Sequence, residues 1–474
     1  MPAPAPDLSH IPAVPGLPLL GNTLQILRDP YAFHTGTRDR LGPLYRVRFL
    51  GHEVVAAHGI DAVEMVFLNR DGAFSNARGW EMIAPLFGGG LLLRDGAEHR
   101  THRRMLQPAF RAEVLRRTLR LMSRRIEAEI AHWPVDRPFR FFWAIRQLTR
   151  GVAAEAFMGI TDRRTSDRLG DAFLAELDAT AAPIRTPLPF TRMARGLRAR
   201  AFLKDHFARL IEERRQGSGH DIFSELCRLR TEDGEWLDAG TLTDHFNFLL
   251  FAAFDTSTTS VTAMAEQLAL HPEWQEAMAE EVAALKGDLG FEALETMQAT
   301  ERVFREALRL VAPVPFVARG VLRAVEIHGV TIPPGAIVSA CPGLVMMDPA
   351  IWTSPERFDP DRFAEPRTED RRHPFAWAPF GGGAHKCLGM HFAMMEVKAF
   401  FAAFLPRFRI AARAPAEWRR LPIPRPTDGL RVTLTRDRPF QRRPGRDRSS
   451  GLTDHPHRSA TRPAGSQQAP VGGD

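Results

Sequence analysis

Apolar residues recur at helical spacing along most of this chain and alternate at strand spacing in only a few short stretches. Alternation marks YRVRFL (45–50) and EVVAA (53–57), on either side of Gly51-His52, as a β-hairpin. VEIHGVTIPPGAIVSA (325–340) reads as a second strand–turn–strand unit, and LRVTLT (430–435) as a further strand. The longest helical pattern runs from about Thr241 to His271, and Pro272 closes it. Its first half is apolar on most sides, which predicts a place in the core. DTSTTS (255–260) then sets an acid and a run of hydroxyls at the deepest point of that helix. TERVFREALRLV (300–311) predicts a helix ending before Pro313. LGMHFAMMEVKAFFAAFL predicts another that starts at Cys387 or Leu388 and ends at Pro406. The pattern is mainly α with a small β subdomain. It lacks the strand–helix alternation of a parallel-sheet enzyme, and it shows no internal repeat.

Composition changes this picture little. The 474 residues are 44% hydrophobic and 25% charged, as expected of a globular protein with a large core. The formal charge of +7 implies acidic partners or anionic surfaces. Part of the excess lies in a Pro-, Gly- and Ser-rich tail, 438–474, which is expected to be disordered because it has too few apolar residues to bury. No nucleic-acid partner is expected. The Pro-rich lead-in, residues 1–22, lacks the basic start and unbroken apolar core of a signal peptide. No window is expected to reach the roughly 20 apolar residues that span a bilayer. The three cysteines, Cys227, Cys341 and Cys387, form no disulfide framework and suit a reducing compartment. Length alone suggests roughly three domains, and the protein is expected to be cytoplasmic and a monomer.

The segment FGGGAHKCLG (380–389) carries the chemistry. Its glycines permit positive φ and let the backbone pass close to a flat, bulky group. Backbone N–H groups at a helix start favour a thiolate at Cys387, and Gly389 leaves room beside the sulfur. Four readings are open: a buried structural cysteine, a nucleophile with His385 as base, a metal ligand, or the sole protein ligand of haem iron. A zinc site would want three or four ligands, and no C-x-x-C pair is present. Phe380, Gly383, Cys387 and Gly389 fall in the pattern F-x-x-G-x-x-x-C-x-G, which resembles the haem-binding signature of the cytochromes P-450, the haem-thiolate monooxygenases. Three further segments resemble that family. Glu306 and Arg309 form an E-x-x-R pair on one helix face, and SPERFDPDRF (354–363) resembles the segment whose arginine joins it. The resemblance assigns that role to Arg357. AAFDT (252–256) resembles A-G-x-D/E-T, with Ala253 where glycine is usual. GAEHRTHRRMLQPAF (96–110) resembles the propionate-gripping segment.

The resemblance spans about residues 12 to 437. It implies that residues 1–437 are one domain with the cytochrome P-450 fold, a long central helix over a haem b held by the Cys387 thiolate. It assigns the propionates to His99, Arg103, Arg319 and His385. It assigns proton delivery to Asp255 and Thr256, with Thr256 also bonding back to a carbonyl one turn earlier. The implied reaction inserts one oxygen atom of dioxygen into a lipophilic substrate. The chain has no flavin or iron–sulfur motif, so electrons are expected from an acidic ferredoxin or flavodoxin and its reductase. Arg100, Arg104, Arg116, Arg117 and Lys386 are candidates for the docking face. The substrate pocket is expected under the loop Phe74 to Leu93, with Trp80, Met82 and Phe87. Phe248, Phe251 and Phe254, and Val314, Phe316 and Val317, would line it or be plain core. A peroxygenase, an isomerase or dehydratase of the same fold, and a non-enzymatic haem sensor are the alternatives. The Asp255-Thr256 pair weighs against each.

Overall fold

The computed structural model describes residues 6–436, apart from positions 181, 183, 218, 232 and 288. The basic tail lies outside the described residues. Long helices dominate: Gly96–Leu106, Ala112–Ile130, Phe141–Val152, Arg163–Thr180, Arg192–Gln216, Ala239–Leu270, Gln298–Leu310 and Met390–Phe404. The strands are β1 (Leu44–Phe49), β2 (His52–Ala57), β3 (Phe74–Ser75), β4 (Pro138–Arg140), β5 (Val317–Val321), β6 (Val325–Ile327), β7 (Val330–Ile332), β8 (Ile337–Ala340), β9 (Phe408–Ala411), β10 (Trp418–Arg419), β11 (Arg425–Pro426) and β12 (Arg431–Arg436). They build a five-stranded sheet in the order β1-β2-β8-β5-β3, a three-stranded sheet β4-β12-β9 and two small ribbons.

The expected hairpin is β1–β2, in register from Leu44 opposite Ala57 to Phe49 opposite His52. Leu50 and Gly51 make its turn, both at positive φ. The stretch 325–340 divides. β6 and β7 pair across His328-Gly329, while β8 leaves them to join β2 and β5 in the large sheet.

The central helix Ala239–Leu270 is 32 residues long. The Asp238 carboxylate caps it by accepting from the Thr241 N–H at 2.9 Å. Its hydroxyls sit deep in the core because each finds a partner. Thr258 meets Thr149 at 2.9 Å, Thr259 donates to the Pro424 carbonyl at 2.7 Å, and Ser260 donates to the Thr256 carbonyl at 2.7 Å. Ser257 donates to Glu396 on the helix Met390–Phe404, tying the two elements together.

That last helix departs from expectation twice. It starts at Met390, because Gly383–His385 forms a separate tight turn first and Gly389 takes the cap position. Residues 383–404 are also apolar and long enough to cross a membrane, which the sequence reading did not anticipate. An 18-residue run within it is 61% buried in the fold, with Phe400, Phe401 and Phe404 among the core side chains. This burial accounts for its apolarity.

Candidate active site

Two elements frame the site: the loop that carries Cys387 and the middle of the central helix. In the loop, the Cys387 N–H donates to the Phe380 carbonyl at 2.9 Å and the Lys386 N–H to Gly383 at 3.2 Å. Gly381 and Gly383 adopt φ of 68° and 62°. A Cβ on Gly383 would lie 2.1 Å from the Phe67 carbonyl oxygen, so the helix Ile60–Leu68 presses on the loop and only glycine fits there. Phe380 is held edge-on by Trp377, with centroids 5.9 Å apart. Gly389 has open space where a side chain would start.

Cys387 is solvent-accessible, unlike the buried Cys227 and Cys341. Yet burial raises its thiol pKa, against the opposing pull of the Gly389 N–H, Arg103 and Lys386. Accessible surface around a desolvated sulfur means that the thiol faces an internal cradle. Ala252 repeats the pattern on the central helix, exposed between buried Leu250 and Phe254. A sulfur of this kind loses its proton on binding a metal cation.

The structure brings together the four residues expected to grip the propionates. The rings of His99 and His385 lie against each other, tilted by 30°, with centroids 3.7 Å apart. Arg103 acts on His99, His385 and Cys387, and Arg319 acts on His385. Burial is the main cause that lowers His99 to about 4 and His385 to about 3; Arg103 contributes to the shift of His99, and His99, Arg319 and Arg103 to that of His385. Burial lowers Arg319 to about 10, with Asp95 opposing. Arg319 gives one N–H to the Ala318 carbonyl at 2.9 Å, and Asp95 stands 3.9 Å from His385 Nε2. Four basic groups are crowded here against one carboxylate. Such a site suits a ligand with two negative charges. The sequence reading missed Asn76, whose amide lies 2.7 Å from His385 Nδ1 and holds that ring.

On the central helix, Thr256 Oγ1 donates to the Ala252 carbonyl at 2.6 Å, the back-bond expected of it. Asp255 is partly accessible, and burial raises its pKa. Arg146, from the helix Phe141–Val152, stands 3.5 Å away and opposes the rise. Arg146 was also missed, because nothing local marks a partner 109 residues distant.

The buried ion-pair network corrects one assignment. Arg309 is bidentate to Glu306 at 2.7 and 2.9 Å, and all three side chains of the triad are fully buried. The third member is Arg362, whose Nε donates to Glu306 Oε1 at 3.0 Å. Arg357 is exposed and contributes only its carbonyl, which accepts from Arg309 and Arg362. SPERFDPDRF contains two P-x-R-F units, and the turn Pro360–Phe363 swings the second one inward.

Pocket candidates divide too. Phe87 packs on Phe251 at 4.2 Å, and Gly90 passes so close to Phe248 that a Cβ would lie 2.5 Å from it. The glycine loop thus lies directly on the central helix. Phe254 is core, edge-on to Phe173 at 5.7 Å. Val317 is held in β5, and Phe316 packs on His34 at 5.0 Å.

Comparison with known proteins agrees with this geometry. Residues 12–422 match the family model described as Cytochrome P450. The putative cytochrome P450 136 of Mycobacterium tuberculosis is 38% identical over 450 residues, covering 91% of this chain and 90% of that protein. The putative cytochrome P450 120 of Synechocystis is 30% identical, covering 90% and 98%. The solved structure of retinoic acid-bound cyanobacterial CYP120A1 superposes with a TM-score of 0.81 at 29% identity, covering 90% of this chain and 99% of that one. A mainly helical haem-thiolate fold of this kind defines an oxidoreductase class. The chain belongs to the cytochrome P450 family and is a P450 monooxygenase. The family binds haem b through a cysteine thiolate, and the cradled sulfur and the cluster of basic groups fit that cofactor.

Proposed function

We propose that Cys387 is the thiolate ligand of haem b, and that His99, Arg103, Arg319 and His385 hold its two propionates. Phe380 shields the sulfur side, and Gly389 keeps space beside it. The observation that carries this reading is the pairing of a cradled thiol with a basic cluster that has Asp95 as its one acid among the described residues. The bound cofactor supplies reductive activation of dioxygen. The chain's own residues supply the rest. Thr256 holds a hydroxyl in the middle of the central helix. Asp255, raised in pKa and restrained by Arg146, carries protons from solvent to that hydroxyl.

The substrate is lipophilic, as retinoic acid is in the related structure, and enters under the loop Phe74 to Leu93. Electrons come from a separate acidic ferredoxin or flavodoxin, served by its own reductase, in the cytoplasm. Arg116 and Arg117 are paired with Glu292 and Glu113 on the surface, which leaves Arg100 and Lys386 as the stronger docking candidates. A cleft of about 400 Å³ beside Phe380, lined by Trp377, Met390, Met394 and Lys398, gives such a partner an apolar foothold next to the cysteine loop. The protein acts as a monomer.

Turnover of a lipophilic substrate under ¹⁸O-labelled dioxygen, with a surrogate ferredoxin and reductase, tests the reading. The expected product carries one labelled oxygen. Turnover with hydrogen peroxide that matches the dioxygen rate without an electron donor would favour the peroxygenase alternative.

A further inference from the structure

The helix Gly96–Leu106 carries His99 and Arg103, two of the four residues assigned to the propionates, and one more histidine that the site does not use. His102 Nδ1 lies 2.8 Å from His245 Nε2 on the central helix, a hydrogen bond between residues 143 apart in sequence. His102 is half-buried, and His245 is 1% exposed. His245 Nδ1 has no partner among the described residues, so this is the one hydrogen bond its ring makes there. A buried imidazole held by a single bond loses its polar satisfaction altogether when that bond is removed.

The register of the central helix gives the pair its reach. His245, Leu249, Ala252 and Thr256 follow one another at helical spacing along one stripe. His245 therefore stands roughly 10 Å along the axis from Ala252. The chain just before the helix Gly96–Leu106 closes on the same place. A Cβ on Gly89 would lie 2.5 Å from Asp244 Oδ2, and one on Gly90 would lie 2.5 Å from Phe248 Cβ. These glycines let the loop press on the central helix, and His102 fastens the helix that follows.

Burial is the main cause that lowers His102 below its usual value and His245 to about 3. Arg94 adds to both shifts and His102 to that of His245, while Asp238 opposes both and Glu98 opposes that of His102. Asp244 is taken up by Arg200 and Lys204, each at 2.8 Å. We infer that His102 and His245 are a positioning pair: their bond fixes the helix bearing His99 and Arg103 against the central helix, sets how firmly the cofactor's carboxylates are held, and weakens in acid. The sign follows from burial. Separated rings take up protons below about pH 6.5 that the bonded pair resists, so the hold is complete above that value and is lost as pH falls through it. The inference rests on the propionate reading above.

Transfer of haem from the holoprotein to excess apomyoglobin tests it. His102→Phe leaves His245 without a bond and should release haem about tenfold faster than the wild type at about pH 7.5. His102→Gln keeps an N–H donor in reach and should stay within about twofold. From about pH 7.5 down to about pH 5, release should quicken more steeply in the wild type than in His102→Gln, which cannot titrate at that position. The acid response of His99 and His385 is common to both proteins. Equal release from wild type and His102→Phe, or equal acid slopes in wild type and His102→Gln, would overturn the inference and leave the propionate reading standing. A protein that takes up no haem would overturn both.

Discussion

Glu306 offers the sharpest test of how this structure is held. Its carboxylate accepts from Arg309 Nε and Nη2, from Arg362 Nε, and from the Asp359 N–H. Arg362 also bridges to Glu369 at 2.9 Å and to the Thr353 carbonyl at 2.9 Å. Glu306, Arg309 and Arg362 are 0% exposed and Glu369 is 1% exposed, so no water can replace a lost partner. Two carboxylates and two guanidinium groups are buried in this core, and the more exposed Arg367 reaches Glu369 from its edge at 2.6 Å. Arg362→Ala leaves two buried carboxylates with one buried cation, and removing one partner of a buried pair costs about 3–5 kcal/mol. Arg357→Ala removes an exposed side chain and leaves its carbonyl in place, so it should change stability by less than about 0.5 kcal/mol. Urea unfolding followed by circular dichroism, with each variant beside the wild type, measures both. Equal destabilisation by the two variants would refute the assignment of Arg362 as the third member.

Other outcomes follow from the same geometry. Thr256→Ala should keep haem binding but divert electrons to hydrogen peroxide, read as a fall in product formed per electron pair consumed; unchanged coupling would sink the relay. Asp255→Asn should slow turnover about 10² to 10⁴-fold at saturating substrate, measured with the same assay. Arg146 holds the Asp255 pKa down, so Arg146→Met should raise it and move the alkaline limb of the rate profile to higher pH; a shift to lower pH would contradict the ion pair. Burial raises Glu396 from 4.5 to about 7, against its bond from Ser257. The folded state therefore holds a proton that the unfolded state releases, and stability is lost as pH rises from about 4.5 through 7. Glu396→Gln should flatten that slope and be more stable at pH 8 by up to about 3 kcal/mol, measured by urea unfolding across the range.

Local patterns made much of this legible. The 3.6-residue period and Pro272 located the central helix to within two residues at the start and one at the end. Cys387 stood out because its spacing to Phe380, Gly383 and Gly389 is fixed within one loop. Long-range pairings carried no such signal. Asn76 and His385 are 309 residues apart, Arg146 and Asp255 109, and Ser257 and Glu396 139. Each belongs to a different element, and only folding selects it from many equivalent polar residues. The choice between Arg357 and Arg362 failed for a related reason. Two like units stand five residues apart, and the turn that decides between them depends on packing against Trp352 and Glu306.

The central claim is that the Cys387 sulfur binds haem iron as a thiolate. A carbon monoxide difference spectrum of the reduced protein tests it most directly, with Cys387→His measured alongside. The account predicts a Soret band displaced far to the red in the wild type and its return to the ordinary position in the variant. A wild-type band at the ordinary position, or purification without haem, would contradict it.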